Sequence, residues 1–112
     1  MSSEQAAVFD ACERQDGAER TFPFGPQVTV FKIAGKIFAF VEHERTPVRI
    51  TLKCDPEHGE MLRAEHAAID RGYHMDKRHW ITITLDAEGL PPELIGELVE
   101  DSYDLVAPRR KA

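Results

Sequence analysis

The heptapeptide Val48-Arg49-Ile50-Thr51-Leu52-Lys53-Cys54 decides how this chain folds. Apolar side chains at positions 48, 50, 52 and 54 alternate with polar ones at positions 49, 51 and 53. Because successive side chains of a β-strand point to opposite faces, this alternation predicts a strand with one buried and one solvated face. Such one-sided strands are typical of antiparallel sheets that are covered on one face only.

Other stretches extend this sheet. In residues 80–85, Trp80, Thr82 and Thr84 alternate with three apolar residues, which predicts a second one-sided strand. Residues 28–34 and 36–41 are rich in β-branched and aromatic residues and predict a β-hairpin that turns near Gly35. Both faces of the hairpin carry apolar side chains, so we expect it to lie centrally in the sheet.

Helices are predicted at both ends of the chain. Residues 4–14 carry apolar side chains at helical spacing. The last helix opens at Pro91 and Pro92 and continues with a broad apolar stripe. The members of this stripe are Leu94, Ile95, Leu98, Val99, Tyr103 and Val106.

A middle helix is predicted over residues 57–66. Asp55 is a good N-cap acceptor, and Pro56 suits the first helical position. Met61 and Leu62 are expected to face inward. Earlier in the chain, the rigid segment of residues 22–26 is expected to pack its two phenylalanine rings against the core.

These elements predict an α+β fold: a two-layer domain in which the N-terminal, middle and C-terminal helices pack on one face of an antiparallel sheet. The length of 112 residues and the 42% hydrophobic content suit one domain with one core. We expect this single domain to span residues 1–112, with its core at about 6–107 and a frayed C-terminal tail at 108–112.

Composition also suggests where the protein works. No apolar stretch is long enough to cross a bilayer and the N-terminus is polar, so we expect a cytoplasmic monomer without a membrane partner. Cys12 and Cys54 stand far apart, which favours reduced, buried thiols over a disulfide.

The net charge of −6 is unevenly distributed along the chain. Residues 1–21 carry five acids against two bases, a charge of −3, and residues 85–112 carry seven acids against three bases, a charge of −4. Residues 22–84 carry nine bases against eight acids, a charge of +1, together with all five histidines. The surface formed by the central part of the chain is therefore expected to be neutral to positive, while the flanking helices are acidic.

A candidate nucleic-acid-binding surface combines the solvated face of the two one-sided strands with residues 72–80, where cations, histidines and aromatics are dense. Lysine and arginine there are suited to phosphate contacts, and the aromatic rings to stacking on bases or sugars. The alternative is a solvated loop anchored by its aromatics, with Trp80 covering the end of the sheet. The candidate residues are Arg49, Lys53, Tyr73, His74, Lys77, Arg78, His79 and Trp80.

Catalytic and metal sites are not indicated by the sequence. His74 and His79 lack the further ligands that a zinc site needs, so neither a metal nor another cofactor is expected. Cys54 and His58 form the only nucleophile arrangement, but Cys54 continues a buried alternation, so packing explains it better. No nucleophile–base pair is visible, and we do not expect an enzyme.

Five separated motifs, in order and together running from about residue 6 to residue 107, resemble the MmcQ/YjbR family. They are Phe22-Pro23-Phe24-Gly25; Val30-Phe31-Lys32 with Gly35-Lys36-Ile37-Phe38-Ala39; Leu52-Lys53-Cys54-Asp55-Pro56; the segment from Gly72 to Trp80; and Ser102-Tyr103-Asp104-Leu105-Val106. The resemblance implies a two-layer domain similar to frataxin (a CyaY-like fold) and a relation to double-wing DNA-binding domains. Where the family commonly has asparagine before its basic pair, this chain has Asp76, which lowers the local positive charge.

Two functional hypotheses follow. In the first, the chain is a DNA-binding module in which Lys53, Lys77 and Arg78 meet phosphates, while His74 and Trp80 supply hydrogen-bonding or stacking contacts. Because the chain is acidic overall, such binding would be weak and steeply salt-dependent. In the second, the same surface binds another protein or a small ligand, with Tyr73 and Trp80 as anchors.

Overall fold

A computed structural model of the chain describes residues 3–72, 76, 78–85 and 90–108. Three helices are present in this part of the chain: α1 (Ser3–Glu13), α2 (Pro56–Glu65) and α3 (Pro92–Val106). The strands are β1 (Glu19–Thr21), β2 (Thr29–Ile33), β3 (Lys36–Glu42), β4 (Val48–Lys53), β5 (Ile69–Arg71) and β6 (Trp80–Leu85).

The six strands form one antiparallel sheet in the order β1-β2-β3-β4-β6-β5. The predicted hairpin is β2–β3, and its turn places Ala34 and Gly35 at φ values of 52° and 79°. Two successive positive φ values are typical of the tight turn whose twist matches that of the strands. The two predicted one-sided strands, β4 and β6, are direct neighbours in the sheet.

The face of the sheet that carries Ile50 and Ile83 is covered by the helices. The main core joins these side chains to Val8 and Cys12 of α1, Leu62 of α2, and residues of α3 such as Val99. We call the opposite side of the sheet the outer face. Its central row of cross-strand neighbours is Thr21, Val30, Phe40, Thr51, Thr82 and Asp70. The α+β class predicted from the sequence is confirmed.

Several local predictions for the helices need correction. Met61 was expected to face inward, but 53% of its surface is exposed, whereas Leu62 is buried. Adjacent helical residues differ in direction by about a quarter turn or more, so only one of the two reaches the core. Asp55 occupies the N-cap position of α2, but its side chain makes no capping hydrogen bond.

The segment of residues 22–26 does not pack against the main core, as the sequence had suggested. Phe22 and Phe24 are 50% and 63% exposed, and the ring of Phe24 stacks on Phe40 of the outer face. The short edge strand β1, which the sequence pattern did not predict, explains this position. It pairs with β2 and ends at Thr21 in the row of the outer face, directly before the segment of residues 22–26. Among the described helices, none is long and apolar enough to cross a membrane.

Candidate functional site

The sequence-predicted polar residues of β4 and β6 do come together on the outer face. Lys53 lies opposite Trp80, Thr51 opposite Thr82, and Arg49 opposite Thr84. The hydroxyls of Thr51 and Thr82 are 3.3 Å apart and both side chains are buried. The predicted neighbourhood of a tryptophan and a cation therefore exists at the end of β4 where α2 begins.

Arg49 is engaged by a carboxylate. Its Nε and an Nη donate to the two oxygens of Glu42, at 2.9 and 3.0 Å, from the adjacent position on β3. Only 14% of the Arg49 side chain and 20% of the Glu42 side chain are exposed. A bidentate pair of this kind neutralises the cation and fixes its direction, which leaves little positive charge for a ligand.

The side chain of Trp80 is buried and is not available to a ligand. It is 7% exposed, and its ring packs against Phe40 in a T-shaped arrangement with the centroids 5.8 Å apart. The backbone of Gly72 passes so close that a Cβ there would lie 2.5 Å from the Trp80 Cβ, and the Gly72 amide donates to the Trp80 carbonyl at 2.9 Å. Trp80 therefore supports the end of the sheet.

Cations instead converge beside α2, on the helix-covered side of the sheet. A cleft of about 160 Å³ is lined by Pro56, Glu60 and Arg63 of α2, Arg71 of β5 and Arg78 of the turn before β6. Positions 56, 60 and 63 share one side of a helix because side chains three and four residues apart are neighbours. We call this the arginine cleft. No ion pair joins its three arginines to a carboxylate in the described part of the chain.

The turn that carries Arg78 is organised by Asp76. Its carboxylate accepts the Arg78 backbone N–H at 2.9 Å and lies 2.9 Å from Nδ1 of His79. These two hydrogen bonds, the first above all, lower the pKa of Asp76 below its usual range. His79 in turn accepts the Cys54 N–H with its backbone carbonyl at 2.8 Å, which ties the turn to the end of β4. The predicted residues Tyr73, His74 and Lys77 lie outside the described residues.

A second cleft, of about 690 Å³, lies beside the end of α3. Its lining includes Asp16, Gly17, Ile33, Tyr103 and Asp104, and the Tyr103 hydroxyl donates to the carbonyl of Asp16. Among the described residues two acids and no cation line it, which does not suit an anion. Within the described ranges, no three His, Cys, Asp or Glu side chains come together as metal ligands.

Both cysteines are buried, and burial raises their pKa values. Cys12 rises from the usual 9.0 to about 12, with Glu13 adding to the effect of burial. Cys54 rises from 9.0 to about 11, mainly through burial and then through the nearby charges of Asp55 and Asp101. The thiolate is the reactive form, so neither thiol is activated at neutral pH.

The raised pKa values of the two cysteines predict that they react slowly with thiol reagents. In the folded protein at pH 8, we expect Cys12 and Cys54 to react with a disulfide reagent at least about 100-fold more slowly than the same thiols in denaturant. Because the folded pKa values are raised, the contribution of the two thiols to stability is complete below about pH 9. It is lost as the pH rises through about 11 for Cys54 and about 12 for Cys12. Fast stoichiometric labelling of the native protein would contradict this assignment.

Comparison with known proteins identifies the family. The YjbR family model matches residues 14–105, which is most of the chain. The chain belongs to the YjbR family. The uncharacterised protein YbdF of Escherichia coli O157:H7 is 40% identical over 88 residues, covering 79% of this chain and 71% of YbdF. The uncharacterised protein YjbR of Escherichia coli K12 is 34% identical over 92 residues, covering 82% of this chain and 77% of YjbR.

Solved structures share the fold of this YjbR-family chain. The crystal structure of Deinococcus radiodurans protein DR2400, a DUF419 domain, is similar with a TM-score of 0.82 and 40% identity, over 88% of this chain and 75% of that one. A Pseudomonas syringae protein is similar with a TM-score of 0.75 and 28% identity, over 95% of this chain and 99% of that one.

Two arginines of the arginine cleft in this YjbR-family member were not predicted as binding residues from the sequence. Arg71 ends the strand β5, whose three residues are too few to show an alternation. Arg63 lies in the last turn of α2, where a cation is ordinary because it faces the negative end of the helix dipole. A usable signal was the spacing of Pro56, Glu60 and Arg63 on one side of that helix.

Proposed function

We propose that this chain is a DNA-binding module that holds DNA by its phosphates, at the arginine cleft and at Lys53 on the outer face of the sheet. The observation that carries the proposal is the convergence of Arg63, Arg71 and Arg78 from three different elements on one cleft. The relation to double-wing DNA-binding domains that the family resemblance implies suggests the ligand class by analogy, and the cleft supplies a physical reason for it. Reduced, buried thiols fit a cytoplasmic site of action.

The chemistry of the cleft favours a phosphate. Guanidinium groups present paired N–H donors that match the oxygens of phosphate, and three of them outnumber the single carboxylate of Glu60. Its volume of about 160 Å³ is several times the ~30 Å³ that one water molecule occupies in the liquid. The cleft is smaller than the ~300–1,000 Å³ of typical small-molecule pockets, so it suits one charged group of a larger ligand.

Charge elsewhere on the molecule supports an approach from the α2 side. Helix α3 carries five acidic residues and no lysine or arginine, and it packs beside α1 at the other side of the covered face. DNA is repelled from that side. On the α2 side the attractive charges are the three guanidinium groups of the arginine cleft, since α2 itself carries three acids and one arginine. Because Trp80 is buried and Arg49 is paired with Glu42, the contacts proposed here are to the backbone, which carries no sequence information directly.

The test is DNA binding by Arg63→Gln, Arg71→Gln and Arg78→Gln, singly and together, measured by fluorescence anisotropy over a series of salt concentrations. Each lost phosphate contact is expected to reduce the slope of log affinity against log salt for duplex DNA by about 1. The triple variant should therefore lose about 2–3 from the slope and bind at least tenfold more weakly at low salt.

Arg45→Gln is the matched control, because Arg45 is exposed and lies in the loop before β4, at the opposite end of that strand from the cleft. It removes the same charge and should leave the salt slope unchanged. Equal losses for Arg45→Gln and Arg71→Gln would show that only net charge matters and would remove the cleft from the proposal. Absence of DNA binding by the unaltered protein at low salt would end the proposal itself.

A further inference from the structure

Three aromatic rings form a continuous ladder on the outer face. Phe24 stacks on Phe40 with the centroids 6.0 Å apart and the planes inclined by 22°, and Phe40 meets Trp80 at 5.8 Å. Phe40 is half-buried and Trp80 is buried, whereas 63% of Phe24 is exposed. The ladder thus runs from a packed ring to an exposed one, and it presents aromatic surface to a ligand at the Phe24 end.

The exposed end of the ladder is held in place by its own turn. The Gly25 amide donates to the Phe22 carbonyl at 3.2 Å, and the Val28 amide donates to the Gly25 carbonyl at 3.4 Å. Gly25 has a φ of 100°, a conformation that residues with a Cβ rarely adopt. Two prolines in the same segment remove further freedom. A ring presented on a rigid turn loses little conformational entropy when a ligand stacks on it.

The packed end of the ladder lies at the proposed phosphate-binding end of the sheet. Trp80 is the cross-strand neighbour of Lys53, and Arg78 precedes Trp80 by two residues. A ligand that follows the ladder therefore meets aromatic surface at one end and the cation of Lys53 at the other. This combination matches a single-stranded nucleic acid, whose bases offer faces for stacking and whose phosphates need positive charge.

We propose that single-stranded DNA is the preferred ligand, with a base stacked on the exposed side of Phe24 while a neighbouring phosphate lies at Lys53 on the same face of the sheet. This inference rests on the proposed function and specifies its substrate. In a duplex the base faces are stacked on one another, so the ladder has nothing to bind there. Aromatic side chains beside a β-sheet are a known platform for unstacked bases. Here the accessible ring is Phe24, since Val30, Thr51, Thr82 and Trp80 of the outer face are buried.

The deciding variant is Phe24→Ala, which removes the exposed ring without opening the core. Its affinity for a single-stranded oligonucleotide should fall roughly 5- to 150-fold, the effect of losing one base–aromatic stack. Affinity for a duplex of equal length should stay within a factor of about two, since no duplex base contacts the ring. Met61→Ala is the matched control, because Met61 is 53% exposed on α2 and belongs to no aromatic contact in the described part of the chain.

The outcomes separate this inference from the proposed function. If the triple arginine variant weakens both DNA forms but Phe24→Ala weakens neither or both equally, phosphate binding stands and the stacking platform is refuted. If the unaltered protein binds no DNA, both fail. If a protein partner is retained after nuclease treatment and is lost in Phe24→Ala, the outer face belongs to a protein interface and single-strand stacking is overturned.

Discussion

Trp80→Ala is expected to lower the free energy of unfolding by about 3–5 kcal/mol, the usual cost of removing a large buried aromatic side chain. The indole is 7% exposed and meets Phe40, although it lies on the side of the sheet away from the main core. The backbone of Gly72 already lies close to the Trp80 Cβ, so it has little room to move into the cavity that the substitution would leave. A domain of this size is typically stable by only about 5–15 kcal/mol, so the loss would be severe.

Denaturant unfolding followed by far-UV circular dichroism measures this effect, because the variant lacks the chain's single tryptophan. Trp80→Phe keeps an aromatic ring beside Phe40 and should lose less than Trp80→Ala. Phe24→Ala removes the ring at the other end of the ladder, which is 63% exposed, and should cost less than about 1 kcal/mol. Similar losses for Trp80→Ala and Phe24→Ala would mean that the indole is not a packing residue.

The expected instability also limits what Trp80→Ala can report about binding. A drop in DNA affinity in this variant would mix unfolding with the loss of any contact. Phe24→Ala and the arginine variants alter exposed or half-buried side chains, and they test the proposed site more directly.

The alternation of apolar and polar residues was enough to predict much of the fold. The patterns at residues 48–54 and 80–85 predicted which side chains of β4 and β6 share a face, and the register confirms that Lys53, Thr51 and Arg49 lie opposite Trp80, Thr82 and Thr84. Alternation assigns a residue to a face but does not say what else covers that face. For this reason the sequence placed Trp80 on the correct side and offered covering the end of the sheet as one reading, but it did not decide between that reading and a binding role.

The missed features depend on short strands and on cross-strand partners. Strands β1 and β5 have three residues each, too few to show a period, yet they place Phe24 on the outer face and Arg71 in the arginine cleft. The pairing of Arg49 with Glu42 depends on the register between β3 and β4, which is set by contacts distant in sequence. Such long-range relations decide whether a cation in the sequence is available to a ligand.

Ser102→Ala is expected to lower the free energy of unfolding by about 2–4 kcal/mol, because it leaves two backbone groups without their hydrogen-bond partner. Ser102 is fully buried in α3, accepts the Lys53 N–H at 2.8 Å and donates to the Phe38 carbonyl at 2.6 Å. The β3–β4 ladder ends at the pair of Ala39 and Leu52, so Phe38 and Lys53 are the next two residues that would face each other. The serine hydroxyl joins them in place of a direct backbone bond.

This bridge links the helical layer to the strand end that carries Lys53. Ser102 falls on the apolar stripe of α3, where a polar residue predicts a buried hydrogen bond but not its partners.

Ser102→Cys keeps the shape of the side chain with a weaker donor and acceptor, so its loss of unfolding free energy should be intermediate. Denaturant unfolding of the two variants distinguishes two responses. A loss near 3 kcal/mol for Ser102→Ala means that the backbone groups stay unpaired. A loss below about 1 kcal/mol means that the strands close to form the direct bond, which would refute the bridging role.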